Sequence, residues 1–170
     1  IKYDGIFILQ TQSDGPINIS VADITHTGLI RGYALYDKVK LDKISAHPSV
    51  PELLGSGRLA FTVDQGGSKE RYQGIVALEG NTLTECAQNY FRQSEQIETA
   101  IMITADPISK KAAAILIQKM PELNISPSPD DYLDKEQNYE SWRNAVILMS
   151  SITKSELLDH KISSEELLYR

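Results

Sequence analysis

Cysteine is nearly missing from this chain. Cys86 stands alone in 170 residues. A lone thiol excludes an intrachain disulfide and a cysteine-based zinc site, and it makes a reducing compartment the default expectation. Histidine is also scarce. His26, His47 and His160 are far apart and form neither H-x-H nor H-x-x-x-H, so no metal is expected in these residues. No apolar run approaches the roughly 18 residues of a membrane helix. No charged stretch followed by an apolar one marks a signal peptide. Basic charge is outweighed, with 17 Lys and Arg against 23 Asp and Glu and a formal net charge of -6. That balance speaks against a duplex-binding surface, and neither nucleic acid nor membrane is an expected partner. The recurrent chemical motifs are missing too. Gly55-Ser56-Gly57 and Gly66-Gly67 fit neither the P-loop nor the dinucleotide pattern and read as turns.

What remains is an ordinary globular composition, 41% hydrophobic and 24% charged, enough for one sizeable core. Ile6–Leu9 is a short apolar run that suits a strand buried on both faces. At Asp14-Gly15-Pro16 a turn is expected, with Gly15 permitting positive φ. Ile17, Ile19 and Val21 alternate with polar or small residues as a half-buried strand does. Leu29–Tyr36 reads as a third strand with Gly32 as a bulge or close-approach point, and Asp37–His47 as a charged loop. Pro51–Leu54 reads as one helical turn. Leu59–Val63 and Arg71–Leu78 flank a Gly-Gly turn as a hairpin. Thr82 and Glu85 form a capping box, followed by an apolar stripe of Leu83, Cys86, Ala87, Tyr90, Phe91 and Ser94. Ala100–Ala105 and Ala112–Met120 read as two more strands.

Composition shifts at Pro121. The Pro-, Ser- and Asp-rich stretch Asn124–Asp131 reads as a linker, with Ser128-Pro129-Asp130-Asp131 opening a helix. Tyr139, Trp142, Val146, Met149 and Ile152 follow at helical spacing. Two further capping boxes, Thr153 with Glu156 and Ser163 with Glu166, complete about three short helices. The expectation is therefore an α+β chain. A β-rich core of packed antiparallel sheets flanked by helices, with one long helix, spans 1–123, and a helical linker region spans 124–170. The chain begins at Ile1 rather than Met and ends at Arg170 inside a helical pattern, so a fragment of a longer protein is expected.

Each candidate site has a plain structural reading beside a chemical one. Cys86 lies on an apolar stripe, where a thiol packs as a small hydrophobe. A reactive thiolate needs an electropositive setting, which Glu85 opposes. Glu79 and Glu85 form a possible acid–base pair, yet a strand end and a helix cap account for both. An enzyme built on these carboxylates and Gly-rich turns would need a deep polar pocket and a strongly shifted carboxylate. Trp142 packs on the sheet domain or belongs to an apolar face that can be uncovered to bind proteins.

The segment Tyr72-Gln73-Gly74-Ile75-Val76, Leu78-Glu79-Gly80 and Tyr90-Phe91-x-Gln93-Ser94-Glu95-Gln96 closely resembles the signature of the redox-regulated bacterial heat-shock chaperones, the thirty-three kilodalton holdase family. The resemblance extends in order to Asp14-Gly15-Pro16, Arg31-Gly32-Tyr33-Ala34, Leu54-Gly55-Ser56-Gly57, Ile117-Gln118-Lys119-Met120-Pro121 and Glu165–Arg170. It implies an ATP-independent holdase of the cytoplasm, not an enzyme, that binds unfolding client proteins under oxidative and heat stress. The family's fold is a β-rich core, a helical linker and a small zinc domain. Its zinc is held by C-x-C and C-x-x-C cysteines whose oxidation to disulfides releases the metal and loosens the linker. Active members associate as homodimers. This chain carries none of those cysteines, and it lacks the helices expected before Ile1. Within this linker the apolar residues at helical spacing, Tyr139, Trp142, Val146, Met149 and Ile152, are the candidate client-binding residues. A switchable linker should be a poor helix. Between Asn138 and Thr153 the Asn, Ser, Val, Ile and Thr residues together cost on the order of 4 kcal/mol relative to Ala. The alternative function is a passive interaction domain of the same fold, binding one folded partner without a switch.

Overall fold

A computed structural model describes residues 4–66, 71–120 and 131–169. They fall into two compact units, Ile1–Gln96 and Ile97–Arg170. The boundary expected at 123/124, the linker before Asp131 and the Ser128-Pro129-Asp130 helix start lie outside the described residues.

In the first unit, β1 (Ile6–Ser13), β2 (Ile17–Thr25), β3 (Ile30–Tyr36), β4 (Gly57–Asp64) and β5 (Tyr72–Ala77) form one antiparallel sheet in the order β3-β2-β1-β4-β5. Leu9 lies opposite Phe61, and Phe61 opposite Gly74. Because side chains alternate along a strand, this register puts Phe7, Leu9 and Thr11 on one face with Leu59, Phe61, Gly74 and Val76. Helix α3 (Leu83–Tyr90) and a single π-helical turn, Phe91–Glu95, bring the aromatic rings that meet this face. The Phe61 ring lies 4.1 Å from that of Tyr90, 5.6 Å from that of Phe91 and 5.4 Å from that of Phe7. Leu59, Phe61, Cys86, Ala87 and Tyr90 are buried there. Thr11 is buried too, its hydroxyl satisfied by Ser20.

Several expectations need correction. Ile6–Leu9 is half-buried rather than buried on both faces, because only one face of β1 meets the helical layer. Gly15 does not take positive φ. Its role is close approach, since a Cβ there would strike the backbone of Leu54. The Asp14–Gly15 turn is stitched to Leu54–Ser56, with Gly15 N–H donating to Leu54 O and Ser56 N–H to the Asp14 carboxylate. Gly32 is neither a bulge nor a tight contact, for the register runs through Ala22 and Gly32 unbroken. The irregularity sits at Ile17/Ile19. Asp37–His47 is not all loop, since Asp37 caps a short helix α1 (Lys38–Leu41). α2 (Val50–Leu54) carries an unforeseen capping box of Ser49 and Glu52. At α3 only half the expected box forms. Thr82 accepts from the Glu85 N–H, but the Glu85 carboxylate reaches back to the Asn81 N–H at 2.7 Å. Leu83 is half-exposed rather than part of the buried stripe.

In the second unit β6 (Thr99–Asp106) and β7 (Lys111–Gln118) form a hairpin. Ala100 opposite Ile117, Met102 opposite Ile115 and Thr104 opposite Ala113 define one face. Ile101, Ile103, Ala114 and Leu116 define the other. The helices are α4 (Asp131–Ser151), α5 (Lys154–Leu158) and α6 (Ser164–Leu168). α4 is one helix of 21 residues rather than a short one. Both later capping boxes form as expected. Antiparallel sheets with helices attached make the chain α+β.

Candidate functional site

The second unit leaves apolar surface incompletely filled. Ile115 and Ile117 of β7 share a cleft of about 290 Å³ with Leu148, Met149, Ile152 and Leu167. An adjoining cleft of about 490 Å³ runs between the hairpin and Leu157, Ile162 and Leu167. Glu156 reaches both rims, with its carboxylate engaged at 2.9 Å by the Thr153 N–H of the α5 cap. Such walls offer contact area and little directional chemistry. They suit extended apolar segments better than a polar substrate.

The five residues picked out by spacing separate here. Met149 is buried and lines the cleft with half-buried Ile152. Trp142 and Val146 are half-buried on the same stripe of α4. Tyr139 is 65% exposed. Spacing alone missed Leu148, which is mostly exposed yet lines the cleft, and Leu167. It also missed Ile115 and Ile117, although their alternation with Leu116 was a readable signal. The other face of the hairpin adds partly exposed Ile103 and Leu116.

Two serines near the end of α4 bond back to its own carbonyls. The Ser150 and Ser151 hydroxyls donate back to the carbonyls of Val146 and Leu148, each at 2.7 Å. Such back-bonding slightly destabilises a helix.

The titratable groups serve local structure. Burial first, and then the neighbouring Glu85, raises the Cys86 thiol above its ordinary pKa. Glu79 accepts from the Gln93 side chain at 3.2 Å, and the Asn89 amide donates to its carbonyl. The Ser49 cap lowers Glu52. The Gly66 N–H, then Arg71, lowers Asp64. The Ser109 hydroxyl, then the Ile108 N–H, lowers Asp106. All three carboxylates sit at caps or turns. His26 lies 3.5 Å from Asp4 and His160 3.5 Å from Lys111. Among the described residues no three His, Cys, Asp or Glu side chains converge. One buried thiol and scattered imidazoles do not fit the zinc that the resemblance implies. Among the described residues no helix is long and apolar enough to cross a membrane.

The family model described as Hsp33 protein matches residues 1–170. The 33 kDa chaperonin of Nitrosococcus oceani is 38% identical over 170 residues, all of this chain and 51% of that protein. The 33 kDa chaperonin of Pseudomonas fluorescens is 35% identical, again over all of this chain and 52% of that protein. The chain thus spans about half the length of these relatives. The crystal structure of the 33 kDa chaperonin from Thermotoga maritima superposes with a TM-score of 0.68 at 20% identity, over 99% of this chain and 55% of that one, which shows the fold. With the whole chain matched, this protein belongs to the Hsp33 family.

Proposed function

We propose that this chain is the client-binding and linker part of an ATP-independent, redox-regulated holdase of the cytoplasm. One observation carries the reading furthest. Helices α4–α6 are seated on the aliphatic face of the β6–β7 hairpin with two apolar clefts left between them, and α4 is a poor helix by its own composition. A small cost releases α4 and uncovers Ile115, Ile117, Met149 and Ile152, joined by Trp142 and Val146. Unfolded or partly unfolded proteins are the partners that such a surface suits, because it recognises apolarity rather than sequence. The active form is a homodimer. Cys86 is buried with its thiolate disfavoured and does not supply the redox control, which in this reading rests on the disulfide-forming cysteines and zinc of the family's zinc domain. The chain is not an enzyme. The carboxylates held below their ordinary range, Glu52, Asp64 and Asp106, serve caps and turns, and the cleft between β7 and α4 is mainly aliphatic.

Light scattering tests this. Two unrelated heat-denatured clients are incubated with the chain, without nucleotide. Dose-dependent suppression of aggregation for both is expected. Loss of suppression for both, together with capture of one folded partner, would assign the chain to the passive interaction class instead. Saturable ATP hydrolysis abolished by a single substitution would overturn the non-enzymatic reading.

A further inference from the structure

Client binding makes no use of Tyr90–Gln96, yet this run builds a specific polar arrangement. α3 ends at Tyr90, the next five residues form a π-helical turn, and Gln96 follows at φ 56 in the left-handed region. At 3.6 residues per turn residue 95 would lie about 140° around the axis from residue 90. The i to i+5 pitch of a π-turn brings it back over Tyr90. A single carboxylate oxygen of Glu95 then accepts from the Tyr72 hydroxyl of β5 and from the Tyr90 hydroxyl, both at 2.8 Å, with the Ser94 hydroxyl at 3.4 Å. Gly74 makes room, because a Cβ there would collide with the Tyr90 hydroxyl. A widened turn and a non-glycine residue at positive φ are both disfavoured conformations. They are kept where surrounding contacts determine them.

The junction between the two compact units falls one residue after Glu95, at Gln96/Ile97. We infer that Tyr72, Tyr90 and Glu95 form a latch that closes the first unit at its last turn and stops opening of the second unit from spreading into the sheet. Unwinding in the second unit reaches the first through the covalent link at Ile97. There it meets a residue tied both to β5 and to the end of α3. The Tyr72 phenol is raised above its ordinary pKa first by its bond to Glu95, and the Tyr90 phenol by burial first. Both donors therefore keep their protons through the neutral range.

This inference rests on the second unit being the part that opens, and hydrogen exchange separates it from the holdase reading. The 170-residue chain is compared in four forms: unaltered, Met149→Ala, Tyr72→Phe, and both. Tyr72 is half-exposed, so Tyr72→Phe removes one donor with little change in packing. Met149→Ala should speed exchange in 137–151 by about tenfold or more, and leave amides 83–90 within about twofold. In the Tyr72→Phe background the same substitution should speed 83–90 about tenfold, within the range of coupling between linked sites. Glu95→Gln should reproduce this. An equal response of 83–90 to Met149→Ala in both backgrounds would overturn the latch. Failure of the holdase reading would instead show as no client suppression with this exchange pattern intact.

Discussion

The thiol of Cys86 lies on the buried side of α3, 3.9 Å from the Gly80 carbonyl. Burial and Glu85 both disfavour its thiolate, so the native protein should react with a thiol reagent far more slowly than the unfolded chain. Its pKa is raised in the fold. The associated stability is therefore complete below the ordinary thiol value and declines as pH rises through it. Cys86→Ala should cost roughly 1 kcal/mol or slightly more and leave client binding unchanged, which urea unfolding and light scattering would check. Asp64 has the opposite sign. The Gly66 N–H and the 2.7 Å contact with Arg71 hold its carboxyl low. Its contribution is present at neutral pH and is lost as pH falls below the ordinary Asp range. Asp64→Asn should loosen the β4–β5 hairpin at pH 7 and remove that part of the acid sensitivity, read as faster exchange of 58–64 amides. The buried state of Cys86 was legible from its place in an apolar stripe. The roles of Gly15 and Gly32 were not. Sequence marks a glycine but does not say whether φ, a neighbouring backbone or neither demands it.

At the scale of elements, α4 is the part whose stability is borrowed from packing. Ser150 and Ser151 bond to their own helix, and several Asn, Val and Ile residues add to its cost. Replacing both serines by Ala should stabilise α4 by about 1 kcal/mol. It should slow exchange in 137–151 and weaken suppression of client aggregation. Faster aggregation control by the double variant would contradict the idea that α4 must leave. Among the unaltered elements, protection should be lost first in 137–152 and last in 75–90. The capping boxes of α5 and α6 were legible from a hydroxyl and a Glu three residues on, although the same pattern at Thr82 and Glu85 closed only on one side, with Glu85 turning to the Asn81 N–H. The π-turn was not, since Tyr90, Phe91 and Ser94 sit at spacings that an α-helix also satisfies. The five-residue stripe of α4 was read from spacing, but only contact with β7 separates Met149 from exposed Tyr139.

For the whole molecule, alternation and turn signals made the α+β class and most strand positions legible. The division of the described residues into two compact units at Gln96/Ile97 was not, because no composition change marks it. The hairpin β6–β7 reads locally like more of the same β-rich domain, and only its packing with α4 and α5 assigns it to the second unit. That grouping gives the clefts both walls, strand and helix. The central claim is that clients are held on the apolar surface of the second unit. Hydrogen exchange of the chain with and without an unfolding client tests it most directly. Exchange should slow on client addition at amides of the hairpin, 101–117, and speed up at the α4 residues 139–151 as the released helix is held off, with 6–64 unaffected. A client kept soluble while both of those segments exchange unchanged, with protection confined to 6–64, would contradict it.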